Sequence, residues 1–143
     1  MDFSKLYQGK IDSVAVIHRM GWTKETSWPE APEEEHITEE RKLLALSKGK
    51  RLLKILEDKT VYKEEYPLLN DVVSSFLFYA NGNEVLTIHF STETKQLTMY
   101  KGDELIFAGI SKGKLTKKLI RYLYPKLSAK ELYMNFFILW DEI

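Results

Sequence analysis

Two glycine-containing turns in the second half of the chain constrain its fold more than any other feature. Asn81-Gly82 separates SSFLFYA from NEVLTIHF, and the turn 101–103 separates QLTMY from ELIFAGI. Asn-Gly is a common hairpin turn because both residues tolerate positive φ. The flanking segments are rich in β-branched and aromatic residues, which favour strands. The sequence therefore predicts an antiparallel meander over residues 73–110.

The first half of the chain predicts one further strand and one helix. Residues 11–20 alternate as a strand, with Val14, Val16 and His18 on one face. A helix is predicted over 39–58, with Thr38 as its N-cap. Gly49 lies inside this helix, where it costs about 1 kcal/mol relative to alanine. It therefore indicates either a close packing contact or a break into two shorter helices.

The last third of the chain predicts two helices and completes an α+β fold. One helix runs from about 112 to 124 and stops at Pro125, and the next begins at Ser128 in a capping box with Glu131. We expect a mainly antiparallel sheet of about five strands packed against the three helices, in one domain spanning 1–143. Two alternatives stay open, since residues 68–80 also fit a helix and residues 133–140 also fit a strand.

Composition narrows the classes of function. The 21 basic residues balance the 21 acidic ones, which disfavours a strongly basic nucleic-acid binder but leaves room for a local patch. Without cysteine there are no disulfides or thiolate metal sites, and a reducing compartment suits such a chain. The sequence shows no signal-peptide pattern and no apolar run of about 20 residues. We therefore expect a cytoplasmic protein that does not enter the membrane.

The tetrapeptide SKGK occurs twice, at 47–50 and at 111–114. The second copy precedes a predicted helix that Ser111 can cap, and residues 112–126 contain no acidic residue. Basic residues near a helix N-terminus add to the positive potential of its N–H groups and favour an anion. The candidate residues for binding an anion or partner are Lys112, Lys114, Lys117, Lys118 and Arg121. An alternative is that the acidic segment 30–40 folds over a basic helix and neutralises it.

No catalytic signature is present, and we predict no catalytic residue, no metal and no cofactor. The histidines are too far apart in sequence for a helical zinc pair, and the common nucleophile and phosphate-loop motifs are absent. One polar set shares a predicted sheet face and could contact a ligand or stack a base. Its members are Tyr79, Thr87, His89, Thr98 and Tyr100.

The C-terminal segment is apolar nearly all round if it is helical. Such a helix needs cover on most sides, so Phe136, Phe137 and Trp140 are candidates for homo-oligomer formation. We expect a small non-enzymatic binding or inhibitor protein that occupies a protein partner, comparable by class alone to bacterial immunity proteins and phage-encoded anti-defence inhibitors. A nucleic-acid or nucleotide binder using helix 112–126 is the first alternative. An enzyme of unrecognised type around His89 and Tyr100 is the second.

Overall fold

An open antiparallel sheet dominates the part of the chain that the computed structural model describes, namely residues 10–22, 36–64 and 72–131. Its strands are β1 (Ser13–Trp22), β2 (His36–Leu44), β3 (Tyr62–Glu64), β4 (Ser74–Ala80), β5 (Asn83–Phe90), β6 (Gln96–Lys101) and β7 (Glu104–Ser111). The strand order is β2-β1-β4-β5-β6-β7-β3, and every neighbouring pair is antiparallel. The nine-residue β2 and the three-residue β3 are therefore the two edges.

Two helices, α1 (Leu46–Leu56) and α2 (Lys114–Leu123), cover one face of this sheet, and a 3-10 turn at Lys59–Val61 follows α1. The apolar sides of both helices enter the main core through Leu52, Leu56, Leu115, Leu119 and Ile120. The sheet contributes the other half of the core through Val14, Val16, Phe76, Phe78, Leu86, Ile88, Phe90, Leu97, Met99 and Phe107. The predicted alternation is thereby confirmed, because Val14, Val16, Leu86, Ile88 and Phe90 all point to the helix side.

The sheet face turned away from the helices carries a second, smaller apolar cluster. Ala15, Ile17 and Leu77 are buried there, with Tyr79 packed against them. These residues alternate along β1 and β4 with the core residues, and the register places Ala15 directly opposite Leu77. The face therefore combines a small apolar patch with the polar set predicted from the sequence.

The predicted helix over 39–58 is wrong in its first part. Residues 36–44 form β2, which pairs with β1 along its length, and α1 begins only at Leu46 after Ala45 as its N-cap. Thr38 lies in the strand, where its hydroxyl donates to the Met20 carbonyl at 3.4 Å. Pairing with the apolar β1 overrides the helical preference of a charged segment, because propensity amounts to less than 1 kcal/mol per residue.

Gly49 marks a close packing contact and not a break in the helix. A Cβ built at this position would lie 2.4 Å from Cγ2 of Val14, which is closer than real side chains approach. The glycine lets α1 settle directly on β1, and the helix continues through it to Leu56. The sequence allowed either a close packing contact or a break in the helix, and the packing contact is confirmed.

The start of the second predicted helix also differs from the expectation. Helix α2 begins at Lys114 after Gly113, whose φ of 60° lies in the left-handed region that glycine adopts without strain. Ser111 ends β7 and does not cap the helix; its hydroxyl lies 2.7 Å from the Thr116 hydroxyl. The sheet also has seven strands among the described residues where about five were expected, since β2 and β3 were missed.

Other predictions are confirmed or lie outside the described residues. The meander appears as β4 to β7, so residues 74–80 are strand and not helix. The capping box is present, with the Glu131 N–H donating to the Ser128 hydroxyl and the Ser128 N–H donating to the Glu131 carboxylate, each at 3.2 Å. The segment 133–140 lies outside the described ranges. No described helix has the length and apolar character needed to cross a membrane.

Candidate partner-binding face

Tyr122 joins the two helices and brings the two SKGK segments into one layer. Its hydroxyl donates to the backbone carbonyl of Lys48 at 3.2 Å, which ties α2 to the first turn of α1. The ammonium groups of Lys48 and Lys118 lie 5.9 and 5.7 Å from the Tyr122 ring centroid. Cations at this distance are attracted by the ring. The first SKGK and the helix after the second one therefore share a single aromatic anchor.

Every charged residue in α1 and α2 is basic. We call the outward side of the two helices the basic face; its residues are Lys48, Lys50, Arg51, Lys54, Lys114, Lys117, Lys118 and Arg121. The α1 members are all exposed, whereas Lys117, Lys118 and Arg121 are half-buried. Among the described residues, no carboxylate lies within ion-pair distance of the exposed α1 cations or of Lys118. The layer therefore presents one sign of charge.

The cations of α2 act on one another at Lys117. Partial burial lowers the pKa of Lys117, and the neighbouring charges of Lys118 and Arg121 lower it further. At the other helix, the charge of Arg51 acts on Tyr122, whose pKa burial raises and Arg51 partly lowers. Positive potential thus extends across both helices and not along α2 alone.

Asp58 neutralises one member of the face. The Lys114 ammonium lies 2.9 Å from the Asp58 carboxylate, which also accepts from the backbone N–H and hydroxyl of Thr60. The hydrogen bond from Lys114, together with those from Thr60, holds the pKa of Asp58 well below its usual range. The ammonium group of Lys114, the first residue of α2, is therefore already paired with the protein's own carboxylate, at the helix end where an anion was predicted to bind.

The remaining predicted members of the basic site have separate environments. Lys112 precedes α2, and its backbone N–H donates to the Val61 carbonyl at 2.9 Å while its side chain is exposed. Arg121 donates to the Leu127 carbonyl and so closes the turn after Pro125. Of the five residues predicted, Lys118 is the one that shares the Tyr122 ring with a cation of α1, namely Lys48. The prediction of the site left out all four α1 cations. The sequence feature that could have identified the α1 cations is the absence of any acidic residue from 46 to 56.

The polar set on the opposite sheet face is assembled as predicted but lies away from the basic face. His89 is paired with Thr98, and Thr87 with Tyr100, on adjacent strands. The His89 and Tyr100 rings meet edge-on, with centroids 5.7 Å apart. Tyr79 lies towards β2, and its hydroxyl accepts from the Arg41 guanidinium at 3.2 Å. The five residues therefore share a face without converging on one point.

His89 belongs to a hydrogen-bonded chain that runs through a buried serine to Arg19. Nδ1 of His89 lies 2.8 Å from the Ser75 hydroxyl, which accepts from the Arg19 guanidinium at 3.0 Å. Burial lowers the pKa of His89, and the charge of Arg19 lowers it further, so the ring is neutral near pH 7. A serine beside a neutral histidine can form a nucleophile pair. Ser75, however, is only 1% exposed, so its hydroxyl is shielded from solvent.

Two further features bear on possible metal or ligand binding. The described residues contain no group of three or more side chains placed to hold a metal ion. A cavity of about 140 Å³ lies at the end of α2, lined by residues that include Arg19, Ser74, Glu93 and Tyr124. His89 does not line it, so the sheet-face set has no pocket there. The acidic residues 30–35 and the predicted self-association residues Phe136, Phe137 and Trp140 lie outside the described ranges.

No family model, curated protein or solved structure matches the chain. The geometry and charge of the two faces are therefore the features that bear on function.

Proposed function

We propose that this protein is a non-enzymatic binding protein that occupies an acidic surface of a protein partner through the basic face. The observation that carries the proposal is the convergence of Lys48, Arg51 and Lys118 around Tyr122, on helices without acidic residues. Such a concentration of one charge costs free energy in the isolated protein, because like charges repel. An acidic partner relieves that cost and gains charge-assisted contacts.

The rigidity of the platform supports a role in recognition. Leu52, Leu56, Leu115 and Leu119 are completely buried beneath the helices, so the basic side chains project from a well-packed layer. Pre-organised charges lose less entropy on binding than charges on a flexible segment. Covering a partner's acidic site in this way is sufficient to inhibit it, which is the mode of action expected from the sequence.

An acidic protein surface suits the basic face better than a nucleic acid does. Proteins that bind single strands offer exposed aromatic rings on which bases stack. Tyr122 is the one aromatic residue in α1 and α2, and it is 5% exposed. The balanced total of 21 basic and 21 acidic residues also lacks the excess positive charge typical of duplex binders.

Affinity capture from the native cell with matched charge variants tests this proposal. Lys48→Glu/Lys118→Glu reverses the centre of the basic face. Lys10→Glu/Lys101→Glu makes the same change in net charge at two exposed lysines outside the helices. We expect the wild type and the second variant to retain a common partner that the first variant loses, with the same melting temperature for all three. Nuclease treatment before elution separates a protein partner from a nucleic acid.

The outcomes are distinct. A complex that survives nuclease and disappears only with Lys48→Glu/Lys118→Glu supports the proposal. A complex that nuclease releases assigns the face to nucleic acid and overturns the choice of partner. Undiminished capture by Lys48→Glu/Lys118→Glu shows that the basic face is not the binding surface.

A further inference from the structure

The long edge strand β2 has an alternating pattern on the side of the sheet away from the helices. The register with β1 places Ile37, Glu39, Arg41 and Leu43 on that side. Ile37 is 43% exposed and Leu43 is 80% exposed, and both charged residues are exposed. Within the described sheet nothing pairs with the outer edge of this strand. The pattern runs apolar, acidic, basic, apolar.

An unpaired edge strand is a template for another strand, and proteins commonly block it with charges. The charges of β2 do not block pairing with a copy of itself. When two antiparallel copies meet about a two-fold axis through Glu40, Glu39 faces the partner's Arg41 and Ile37 faces the partner's Leu43. Each pair occurs twice by symmetry. Opposite charges and apolar side chains directly across from each other stabilise antiparallel strands.

The neighbouring symmetric registers place like charges opposite each other on this side of the sheet. A two-fold axis through Arg41 places the two Arg41 side chains opposite each other, and an axis through Glu39 does the same for Glu39. The axis through Glu40 brings the two Glu40 side chains together on the helix side of the sheet. Lys42 of each strand lies diagonally across from the other strand's Glu40, so its positive charge offsets this repulsion. The complementary pattern therefore selects one register.

We propose that β2 pairs with β2 of a second copy in this register, forming a homodimer with one continuous antiparallel sheet. The two-fold axis is perpendicular to the sheet, so the helices of both copies lie on the same side. The dimer then presents two basic faces in one direction. The inference depends on the pattern of β2 and not on the function proposed above.

Paired charge variants test the register. Glu39→Arg places like charges across the interface in both symmetric pairs, and Arg41→Glu does the same with the opposite sign. We expect each variant alone to raise the dimer Kd by about tenfold or more. An equimolar mixture should restore the dimer, because the new cation of one variant faces the new anion of the other. Sedimentation velocity measures the association, and circular dichroism verifies that each variant is folded.

A disulfide test is independent of charge. The chain has no cysteine, so Ile37→Cys and Leu43→Cys each introduce a single thiol. Opposed residues of antiparallel strands have Cα atoms about 4.5–5.5 Å apart, within reach of a disulfide. Under mild oxidation, the mixture of the two variants should cross-link to a dimer, and each variant alone should cross-link far less.

Restoration of association in the charge mixture, together with selective cross-linking, supports the proposal. It is overturned by a wild type that stays monomeric at about 100 μM, an affinity limit weaker than that of most specific assemblies. It is also overturned if Glu39→Arg and Arg41→Glu dimerise as the wild type does, or if their mixture shows no gain over either alone.

Discussion

At the residue scale, the environment of His18 makes the stability of the protein depend on pH. His18 is 4% exposed, its ring meets Tyr124 edge-on at 4.6 Å, and its Nε2 has no hydrogen-bond partner among the residues that the structure describes. Burial lowers the pKa of His18 below its ordinary value of 6.5, Lys42 lowers it further, and Glu40 opposes the shift. As the pH falls, His18 in the unfolded chain therefore takes up a proton at a higher pH than His18 in the folded protein does. The free energy of unfolding must fall as the pH drops below about 6.5.

Replacement of this histidine tests that dependence. His18→Leu removes both the titrating group and the unpaired nitrogen, so we expect a gain of about 1 kcal/mol in the free energy of unfolding near pH 5.5. The slope between about pH 7 and about pH 5 should flatten. His89→Gln is the matched control, since the pKa of His89 is also lowered by burial and its removal should leave the His18 contribution in place. A His18→Leu variant with the full wild-type slope would contradict the assignment. Denaturant titrations across this pH range measure it.

Asp58 offers a second prediction at the residue scale. Asp58→Asn keeps an oxygen that can accept from Thr60 but removes the charge that neutralises Lys114. The basic face gains one effective positive charge, so we expect partner affinity to rise by about two- to fivefold at low salt. Glu57→Gln, a change of the exposed neighbouring acid, is the control. Equal effects of the two variants in calorimetric titration would show that overall charge, and not release of Lys114, is responsible.

At the element scale, the contact between α1 and β1 depends on the absence of a side chain at residue 49. Gly49→Ala gains helix propensity, but its Cβ would overlap Val14, and Phe78 lies just beyond. Overpacking costs about 1–3 kcal/mol, which exceeds the gain of about 1 kcal/mol from propensity. We therefore expect Gly49→Ala to destabilise the protein. Val14→Ala should make room for the new methyl group, so the double variant should be more stable than the sum of the two single effects predicts. Chemical denaturation of the wild type, the two single variants and the double variant measures the four free energies of unfolding. If the two single effects simply add in the double variant, the contact between residues 49 and 14 is contradicted.

At the scale of the whole molecule, the two edges of the sheet should differ in amide exchange. β1 and β4 to β7 have a strand on each side, whereas β2 and β3 have one. Edge amides open at lower free energy than central ones. With β2 paired to a second copy, its exchange should slow as protein concentration rises, while that of β3 at the other edge should not change. Hydrogen–deuterium exchange at two concentrations measures this, with β3 as an internal control. Equal behaviour of the two edges would oppose pairing through β2.

Local patterns in the sequence were sufficient for much of the fold. Asn81 takes the positive φ of 53° that its turn requires, and the alternation from β4 to β7 identified the meander. Ser128 and Glu131 form the predicted capping box. These features succeed because each depends on residues a few positions apart, so their physical cause is contained within a short window.

Only the tertiary structure decided the features that join distant segments. Residues 36–44 become a strand because β1 offers them a partner, and that pairing outweighs their own helical preference. The two SKGK segments have different local structures, yet the packing of α1 against α2 brings Lys48 and Lys118 to one tyrosine ring. The sequence by itself determined which residues are apolar, charged or able to turn. The tertiary structure determined which of them meet, because contacts between segments far apart in the chain form only when the whole core packs.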